Sequence, residues 1–463
     1  MKRVFTLRTG IGTLFLAVAC GFSAVGQQNP PRGFSLNQAI QFATEQNINV
    51  KNTQLDATSA EARINEIKAG ALPQVSVSGQ VQYNPIIQQI IIPAGSFGPP
   101  TSGSAVAEGV TTVELSTNFV GNASAAVNQL LFDASYKVGL KAAATFRELA
   151  QRNITASKIT VAEQVAKAYY GVLVNEERSK LLDLNISRVD SSLYQTRASN
   201  KEGFVEKIDV DRLEVQINNL KSDRQNTQNL IGLSYYLLKF QMGLGANDNL
   251  ILTDRIQDVN LEQLAQDIVT DSTFDYANRI EYQTLQTQLR LADFDIQNTA
   301  AKYYPRASLF ANYGYNNGRN DFFDLLTKQW FNSAAIGISL SVPIFDGFAK
   351  KYQSQQQRIT LQKAQNSGIL LRNSIDLQLK QANVTLTNSL QTLRTQKRNR
   401  DLAEEIVRVT RIKYKEGVGS NIEVLNAETS LRESQTNYFA ALYDFLITKV
   451  DQDKARGTLY TGN

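Results

Sequence analysis

Two stretches without proline, residues 134–200 and 348–416, constrain the fold of this chain more than any other feature. Each is about 67 residues long. As an α-helix that rises about 1.5 Å per residue, each would be roughly 100 Å in length. A compact domain has no place for rods of that length. We therefore expect an elongated molecule in which long helices pack against one another.

Apolar residues recur at heptad-like spacing in five segments, which is typical of coiled-coil packing. These seams are Leu182, Ile186, Val189, Leu193; Val210, Leu213, Ile217, Leu220; Leu386, Leu390, Leu393; Leu402, Ile406, Val409; and Phe439, Leu442, Leu446, Val450. The surfaces between them are rich in Gln, Asn, Ser and Thr. Such surfaces suit water inside a hollow bundle, and they suit an ordinary solvated helix face equally well.

Four segments alternate apolar with small or polar residues, which predicts strands of about ten residues. They lie at about 73–83, 117–132, 305–315 and 334–345. A strand with lipid on one side and water on the other needs this length and this alternation. A soluble antiparallel sheet alternates in the same way, and alternation alone favours it. The long helices shift the balance towards a membrane protein.

The order of elements occurs twice, which predicts an internal duplication. Pro73 recurs as Pro305, and Glu202-Gly203 recurs as Glu416-Gly417. The first repeat is expected at 27–245, with helices at about 134–200 and 207–243. The second is expected at 278–459, with helices at about 347–416 and 421–456, and a connector at 246–277 joins the two. Residues 84–117 form an insertion rich in Pro, Gly, Ser and Thr, which is interpreted as a loop.

The N-terminus has the order of a secretory signal peptide, assigned to residues 1–26. A basic start is followed by an apolar segment and by Ser23-Ala24-Val25-Gly26. Cleavage after Gly26 is favoured, and lipidation of Cys20 is the alternative, because Leu16-Ala17-Val18-Ala19 loosely resembles a lipoprotein cleavage box. No other stretch has 18 consecutive apolar residues, so any membrane span must be built from strands.

The composition excludes much enzyme chemistry. The chain has no histidine, one cysteine and one tryptophan, which argues against most metal sites, a serine–histidine triad and a disulfide framework. We expect neither a cofactor nor catalysis, and a glycosidase is disfavoured because no carboxylates cluster in a suitable motif. A net charge of +5 without a basic stripe argues against nucleic-acid binding.

Four strands from one chain cannot close a barrel, and open sheet edges are not tolerated in lipid. Closure therefore requires several chains, and two or three copies would supply eight or twelve strands. Both hairpins have their helical connections on the same side, so a barrel would continue into a tube of roughly 100 Å. An export signal, a barrel and a long tube together describe a conduit.

At this point the sequence resembles the TolC-like outer membrane efflux protein family, from about Phe34 to Leu459. The residues that carry the resemblance are Ala71-Leu72-Pro73, Gln129-Leu130-Leu131-Phe132-Asp133, Tyr303-Tyr304-Pro305, Val342-Pro343-Ile344-Phe345-Asp346-Gly347 and the two Glu-Gly turns. The resemblance implies an α+β membrane protein, a homotrimer in outer membrane lipid. Its four β-strands per chain would contribute to a 12-stranded outer membrane β-barrel, continuous with a long α-helical coiled-coil barrel in the periplasm. It also implies a periplasmic adaptor protein and an inner membrane pump as partners.

The resemblance also implies roles for residues near the two turns. An acidic ring maps onto Glu423 and Asn426, of which only Glu423 keeps the charge. A latch of the closed gate maps onto a hydrogen bond from Tyr414 to Asp209. The alternatives are a plain surface glutamate, an N-capping aspartate and a packing tyrosine.

The turn glycines and the strand aromatics also have two interpretations each. Gly203, Gly417 and Gly419 permit tight turns with positive φ, and the family adds contact with the adaptor at these turns. An outer aromatic girdle would use Tyr83, Phe119, Tyr313, Tyr315 and Trp330, with Phe322, Phe323 and Phe331 nearby. Aromatic residues are also common in any sheet, which is the alternative interpretation of this girdle.

The competing hypothesis for the function of the protein is a periplasmic coiled-coil scaffold in which the strands form an ordinary sheet.

Overall fold

The computed structural model describes residues 32–93, 106–107, 110–114, 116–256 and 274–460. The predicted signal peptide with Cys20 lies outside the described residues. Parts of the 84–117 insertion and of the 246–277 connector lie outside them too. In the connector, Leu261, Leu264, Ile268 and Val269 predict a short amphipathic helix, which the described residues do not include.

The helices form two antiparallel pairs of rods, and shorter helices pack alongside the two longest rods. They are α1 (Leu36–Gln46), α2 (Ile48–Ala69), α3 (Ala134–Lys201), α4 (Lys207–Met242), α5 (Ile280–Ala301), α6 (Phe322–Thr327), α7 (Ala349–Lys415) and α8 (Asn421–Arg456). The rods α3 and α7 have 68 and 67 residues, close to the lengths that the proline-free stretches predict. No helix in the described part of the chain is both long enough and apolar enough to cross a membrane.

The four predicted strands form one antiparallel sheet. The strands are β1 (Arg32–Phe34), β2 (Gln74–Tyr83), β3 (Gln89–Pro93), β4 (Val106–Ala107), β5 (Val110–Glu114), β6 (Phe119–Asp133), β7 (Leu250–Leu252), β8 (Arg306–Arg319) and β9 (Phe331–Ser341). The sheet has the order β2-β6-β8-β9, so the two hairpins pair through β6 and β8. A break in the register between Leu130 and Phe132 lies close to the start of α3.

The loop interpretation of residues 84–117 was wrong for part of that segment. There β3, β5 and β4 form a small antiparallel sheet. The physical reason lies in the sequence itself: β3 contains Ile90, Ile91 and Ile92, and β5 contains Val110, Thr111 and Thr112. Such β-branched runs favour strands in spite of the prolines and glycines around them.

The seams pack as coiled-coil contacts and fix the order of the rods. The α3–α4 seam buries Leu182, Val189, Leu193, Val210, Leu213, Ile217 and Leu220. A second cluster joins α7 and α8 through Leu386, Leu393, Phe439, Leu442 and Leu446, and it includes Val174 of α3. Because α8 contacts both α3 and α7, the rods of one chain lie in the order α4, α3, α8, α7.

One predicted seam stays uncovered. Leu402, Ile406 and Val409 of α7 are exposed by 53, 56 and 37%, although their spacing matches that of the buried seams. They lie on α7, which is one of the two outermost rods. This apolar stripe has no partner among the described residues of the same chain.

Near the middle of the long helix α3, β1 at the start of the described chain contacts β7 at the beginning of the connector. β1 pairs in parallel with β7, and the Tyr169 side chain of α3 is fully buried behind them. The Tyr169 hydroxyl lies 3.0 Å from both the Phe34 carbonyl and Asp254 Oδ2, and Asp254 accepts from the Leu36 amide at 2.8 Å. Burial is the first cause of the raised pKa of Tyr169, and the Asp254 carboxylate adds to it.

Candidate functional site

The register of the four-stranded sheet sorts its side chains onto two unlike faces. Val77, Ala125, Tyr313 and Ala334 form one cross-strand row. The face that holds this row is mostly apolar, with Val75, Val77, Val81, Val127, Leu309, Ala311, Ile336, Ile338 and Leu340. Several of these side chains are largely exposed in one chain, Val77 by 81% and Ile336 by 78%.

The opposite face is polar. Ser78, Ser124, Gly314 and Ser333 form the adjacent cross-strand row. The other members of this face include Ser76, Gln80, Gln82, Asn122, Asn128, Asn312 and Ser339. An ordinary sheet covers its apolar face with the core and leaves its polar face in water. Here both faces are largely exposed, including the apolar one. An exposed apolar face opposite a polar one suits a wall with lipid outside and water inside.

Both edges of this sheet are open within the described residues. β2 pairs only with β6, and β9 pairs only with β8. The antiparallel pairings make β2 and β9 run in opposite directions, so an edge of one copy can pair antiparallel with the other edge of a second copy. Open backbone edges on a two-faced sheet call for another strand.

The predicted girdle residues are not all at one level. Tyr83 and Phe119 pair across the loop end of the sheet with ring centroids 4.7 Å apart, and Phe322 of α6 lies 5.6 Å from Phe119. Tyr313 and Tyr315 form a separate pair nearer the middle of the strands, with their hydroxyls 3.2 Å apart. Phe331 pairs with Asn316 and so belongs to the polar face.

Trp330 is half-buried and points back onto the sheet. Its ring stacks over Gly121, where a Cβ atom would lie 2.6 Å from Trp330 Cη2. The indole N–H donates to the Leu325 carbonyl at 3.1 Å. Trp330 therefore fastens the β8–β9 loop to the sheet. Sequence reasoning gave it a place in the girdle because that docking contact is invisible in the sequence.

At the far end of the rods, the two turns share one geometry. After α3, the Gly203 amide donates to Asn200 and the Phe204 amide donates to Ser199; after α7, Gly417 donates to Tyr414 and Val418 donates to Lys413. These paired bonds form a Schellman motif, which needs a left-handed residue. Gly203 and Gly417 supply it with φ of 79° and 76°. The residues that follow, Phe204 and Val418, are exposed by 84 and 77%.

The prediction for Gly419 was wrong in its reason. Gly419 is not among the residues with positive φ. Instead, a Cβ atom there would lie 3.2 Å from both Lys413 Cβ and the Tyr414 backbone nitrogen. Gly419 therefore permits a close approach of the chain to the last turn of α7.

Asp209 and Tyr414 do not bond to each other within one chain. The Asp209 carboxylate accepts from Arg212 at 3.3 Å, and the Tyr414 hydroxyl has no hydrogen-bond partner among the described residues. The alternative that Asp209 is the N-cap of α4 is also wrong, because the N-cap is Glu206 and Asp209 lies in the first turn of the helix. Sequence reasoning missed Asn421, whose side chain donates to the Asp209 carbonyl at 3.5 Å and so joins the first turns of α4 and α8.

Glu423 and Asn426 are exposed on the first turns of α8. Ser420 caps this helix by accepting from the Glu423 amide at 3.3 Å, so Glu423 also suits the positive end of the helix dipole. The two side chains are three residues apart and lie on one side of α8. No ion pair of Glu423 occurs within the described residues of the chain.

A buried polar layer above the tip was missed. Arg411 Nη2 of α7 lies 2.7 Å from Glu428 Oε1 of α8, and the Glu428 side chain is only 6% exposed. Burial lowers the pKa of Arg411 although Glu428 acts in the opposite direction. Nearby, the Asn185 side chain of α3 donates to Gln435 of α8 at 2.7 Å. Finding these pairs requires the register between rods, which heptad spacing does not give.

A second charged network joins α3 to α8 near mid-length. Glu163 accepts from Lys167 at 2.8 Å and from Lys454 at 2.6 Å, and Lys167 also pairs with Asp451 at 2.5 Å. Burial opposes the ionisation of Glu163, but the hydrogen bonds from both lysines outweigh it and lower its pKa. The same partners raise the pKa of Lys167 against the effect of burial.

Comparison with known proteins shows which proteins this chain resembles. Residues 276–458 match the family model described as "Outer membrane efflux protein". The chain is 22% identical over 343 residues to outer membrane protein TolC of Vibrio cholerae, covering 73% of this chain and 77% of that protein. It is 23% identical over 439 residues to the probable efflux pump outer membrane protein TtgC of Pseudomonas putida, covering 91 and 83%.

A solved structure shares the fold over most of the chain. The outer membrane protein VceC of Vibrio cholerae superposes with a TM-score of 0.66 at 15% identity, covering 91% of this chain and 96% of that one. The duplicated turns, the two-faced sheet and the paired rods thus occur in a chain whose residues 276–458 match this family model and whose fold is shared over 91% of its length. The chain is similar in sequence to TolC-like outer membrane efflux proteins, and it shares the fold of VceC.

Proposed function

We propose that this protein is the outer membrane exit duct of a tripartite efflux or type I secretion system. It passively conducts substrates that an inner membrane pump delivers. The sheet lies in the outer membrane of a Gram-negative bacterium, and the rods form a helical tunnel in the periplasm. The observation that carries this proposal is the sheet with one exposed apolar face and one polar face, joined directly to rods of 68 and 67 residues.

The assembled state we propose is a homotrimer with one twelve-stranded barrel. In this arrangement β9 of each copy pairs antiparallel with β2 of the next, which removes all open edges in the membrane. Two copies would give eight strands, which enclose space for side chains but not for a wide duct. A passage for substrates therefore favours three copies.

The flanking rods support the same assembly. α4 and α7 are the outer members of the order α4, α3, α8, α7, and both carry uncovered apolar stripes. On α7 the stripe is Leu402, Ile406 and Val409; on α4 the exposed apolar residues at a similar distance from the tip are Ile208 and Val215. A ring of three copies places α7 of one against α4 of the next, and the stripes then complete coiled-coil contacts.

The two turns at the tip are proposed to contact the periplasmic adaptor protein. Phe204 and Val418 occupy equivalent positions after Gly203 and Gly417 and stand out into solvent at the end of the rods. Repetition of one exposed apolar residue on each turn gives six such points in a trimer. That pattern suits docking against another ring of helical tips.

For the gate, we propose a latch between copies. Asp209 lies on α4 and Tyr414 lies on α7, the two rods that face a neighbouring copy. The Tyr414 hydroxyl can donate a hydrogen bond to the carboxylate of Asp209 of the partner subunit when the ion pair between that carboxylate and Arg212 weakens. Glu423 and Asn426 are proposed to line the narrowest part of the passage.

A cysteine pair tests the latch. We expect Asp209→Cys with Tyr414→Cys to form disulfide-linked dimers and trimers on oxidation, seen on a non-reducing denaturing gel, because the predicted mature chain from residue 27 has no cysteine of its own. Each single variant is the control and should give at most one dimer band. A monomer with an internal disulfide and no linked oligomer would show that the contact lies within one chain.

The function is tested by native mass and conductance. The mature protein extracted from outer membranes in mild detergent should have the mass of three copies, and it should conduct ions across a planar lipid bilayer. A monomer or dimer released with soluble periplasm would instead support the coiled-coil scaffold.

A further inference from the structure

The short helix α6 lies on the apolar side of the sheet instead of standing above it. Leu325 is fully buried against the sheet. Leu325 Cδ1 and the Trp330 ring both lie over Gly121, which pairs with Val81 on the apolar face. Asn317, opposite Gly121 on β8, is buried too. The helix therefore covers the sheet on its outer surface, two residues before β2 ends at Tyr83.

The contacts of α6 satisfy the Leu325 carbonyl and leave an apolar outer surface, while Asn317 Oδ1 is buried without a hydrogen-bond partner among the described residues. The Leu325 carbonyl accepts from Asn317 Nδ2 at 3.0 Å and from Trp330 Nε1 at 3.1 Å. Asp321 caps the other end by accepting from the Phe323 amide at 2.8 Å. On the side away from the sheet, Phe323 and Leu326 are exposed by 73 and 58%, whereas Phe322 packs against Phe119 of β6.

We propose that α6 is a membrane anchor that lies in the outer boundary of the lipid, with Phe323 and Leu326 among the acyl chains and Asp321 and Lys328 towards water. This inference rests on the proposed function, since it uses the apolar face as the lipid face. The occupant is lipid because the exposed side of α6 is continuous with that face. Aromatic and leucine side chains on a helix in the interface plane are the usual means of such anchoring.

The position of α6 also gives the hydrophobic band an upper limit. Gly121 and Val81 lie seven strand positions above Gln74, roughly 23 Å along β2 at about 3.3 Å per residue. An apolar band in such barrels is about 25 Å tall. The helix is thus docked at the height where the band ends, which is where an amphipathic helix is most stable.

The single tryptophan of the chain makes a direct test possible. The full mature protein is placed in phosphatidylcholine vesicles that contain a lipid with a spin label near the headgroup or near the end of the acyl chain. We expect the headgroup-proximal label to quench Trp330 fluorescence at least about two-fold more than the deep label, while aqueous iodide quenches weakly. Dominant quenching by iodide would show α6 in water and overturn the proposal. Weak quenching by both agents would show α6 covered by protein and would also overturn it.

Two variants sharpen the result. Phe323→Trp in a Trp330→Phe background moves the only indole to the exposed side of α6, and lipid quenching should rise above that of Trp330. Phe331→Trp in the same background is the matched control, because Phe331 lies at the same end of the sheet on the polar face. Its indole should be quenched by iodide and not by lipid labels.

The control separates the two proposals. If the Phe331→Trp indole meets iodide and the protein conducts, but the Phe323→Trp indole also meets iodide, only the anchor is refuted. If the Phe331→Trp indole is quenched by lipid labels, the sheet has the opposite orientation and the proposed duct fails with it.

Discussion

Glu423 and Asn426 lie one helical turn apart on α8 and differ by one charge. Opposite changes of charge at these two positions should therefore have opposite effects on cation block. We expect Glu423→Gln to weaken block of the channel by a multivalent cation, because three carboxylates leave the constriction of the trimer. Asn426→Asp adds three carboxylates to the constriction and should strengthen the block of the channel. The measurement is single-channel conductance in a planar bilayer with increasing hexamminecobalt. Block that is undiminished in Glu423→Gln would place the constriction elsewhere.

How far the sequence predicts single residues depends on the range of the interaction. Gly203 and Gly417 follow the two long rods directly, and their left-handed conformation is a local requirement of the turn, so the sequence predicts it. Gly419 is needed for an approach to Lys413, and the sequence does not distinguish that need from a positive φ. The Arg411–Glu428 pair depends on the register of α7 against α8, which no local pattern contains.

At the scale of elements, that pair holds α7 and α8 together just above the tip. Glu428→Gln leaves the Arg411 charge in a site where only 29% of its side chain is exposed. We expect the free energy of unfolding to fall by about 2 kcal/mol per chain, since a buried charge that loses its partner is destabilising. The measurement is the guanidinium midpoint of the helical circular dichroism signal in detergent.

The control for this prediction is Glu405→Gln. Glu405 pairs with Arg408 on the same rod, but both side chains are more than half exposed. Exposed pairs contribute little, so this midpoint should stay close to that of the unmodified protein. Equal losses in the two variants would show that burial of the Arg411–Glu428 pair has no special effect.

The Glu163 network gives a pH dependence that belongs to the α3–α8 contact. Because the pKa of Glu163 in the folded protein is lowered from 4.5, its stabilising effect is present at neutral pH and is lost as the pH falls below 4.5. Glu163→Gln should lower the unfolding temperature at neutral pH and reduce the further loss on acidification. Parallel pH profiles of unfolding temperature for the two proteins would contradict this assignment.

Elements were predictable where the pattern is periodic. The rods and the four long strands follow from heptads and from alternation, with boundaries set by Pro73, Pro305 and the Glu-Gly turns. The strands β3 and β5 were hidden by the prolines and glycines of the insertion. Helix α6 was missed because six residues are too few to show a helical period, and its stability comes from docking onto Gly121.

At the scale of the whole molecule, the apolar surfaces and strand edges that one chain leaves exposed indicate how several copies assemble. Among the described residues of one chain, the sheet has two open edges and an exposed apolar face, and the outer rods have exposed stripes. Strand count alone predicts that several chains are needed. It does not predict which stripe faces a neighbour, because Leu402, Ile406 and Val409 have the same spacing as the seams that are buried within the chain.

That stripe provides the test of assembly. Ile406→Glu places three carboxylates in the proposed contacts between α7 of one copy and α4 of the next, where burying an unpaired charge is costly. We expect the trimer to dissociate at a lower detergent concentration or temperature, measured by native mass, with the helical content of each chain retained. Leu184→Glu is the control: Leu184 is 61% exposed on α3, which lies inside the row of rods and away from its flanks. A trimer that loses as much stability from Leu184→Glu as from Ile406→Glu would show that the flanks of the row do not form the contact between copies.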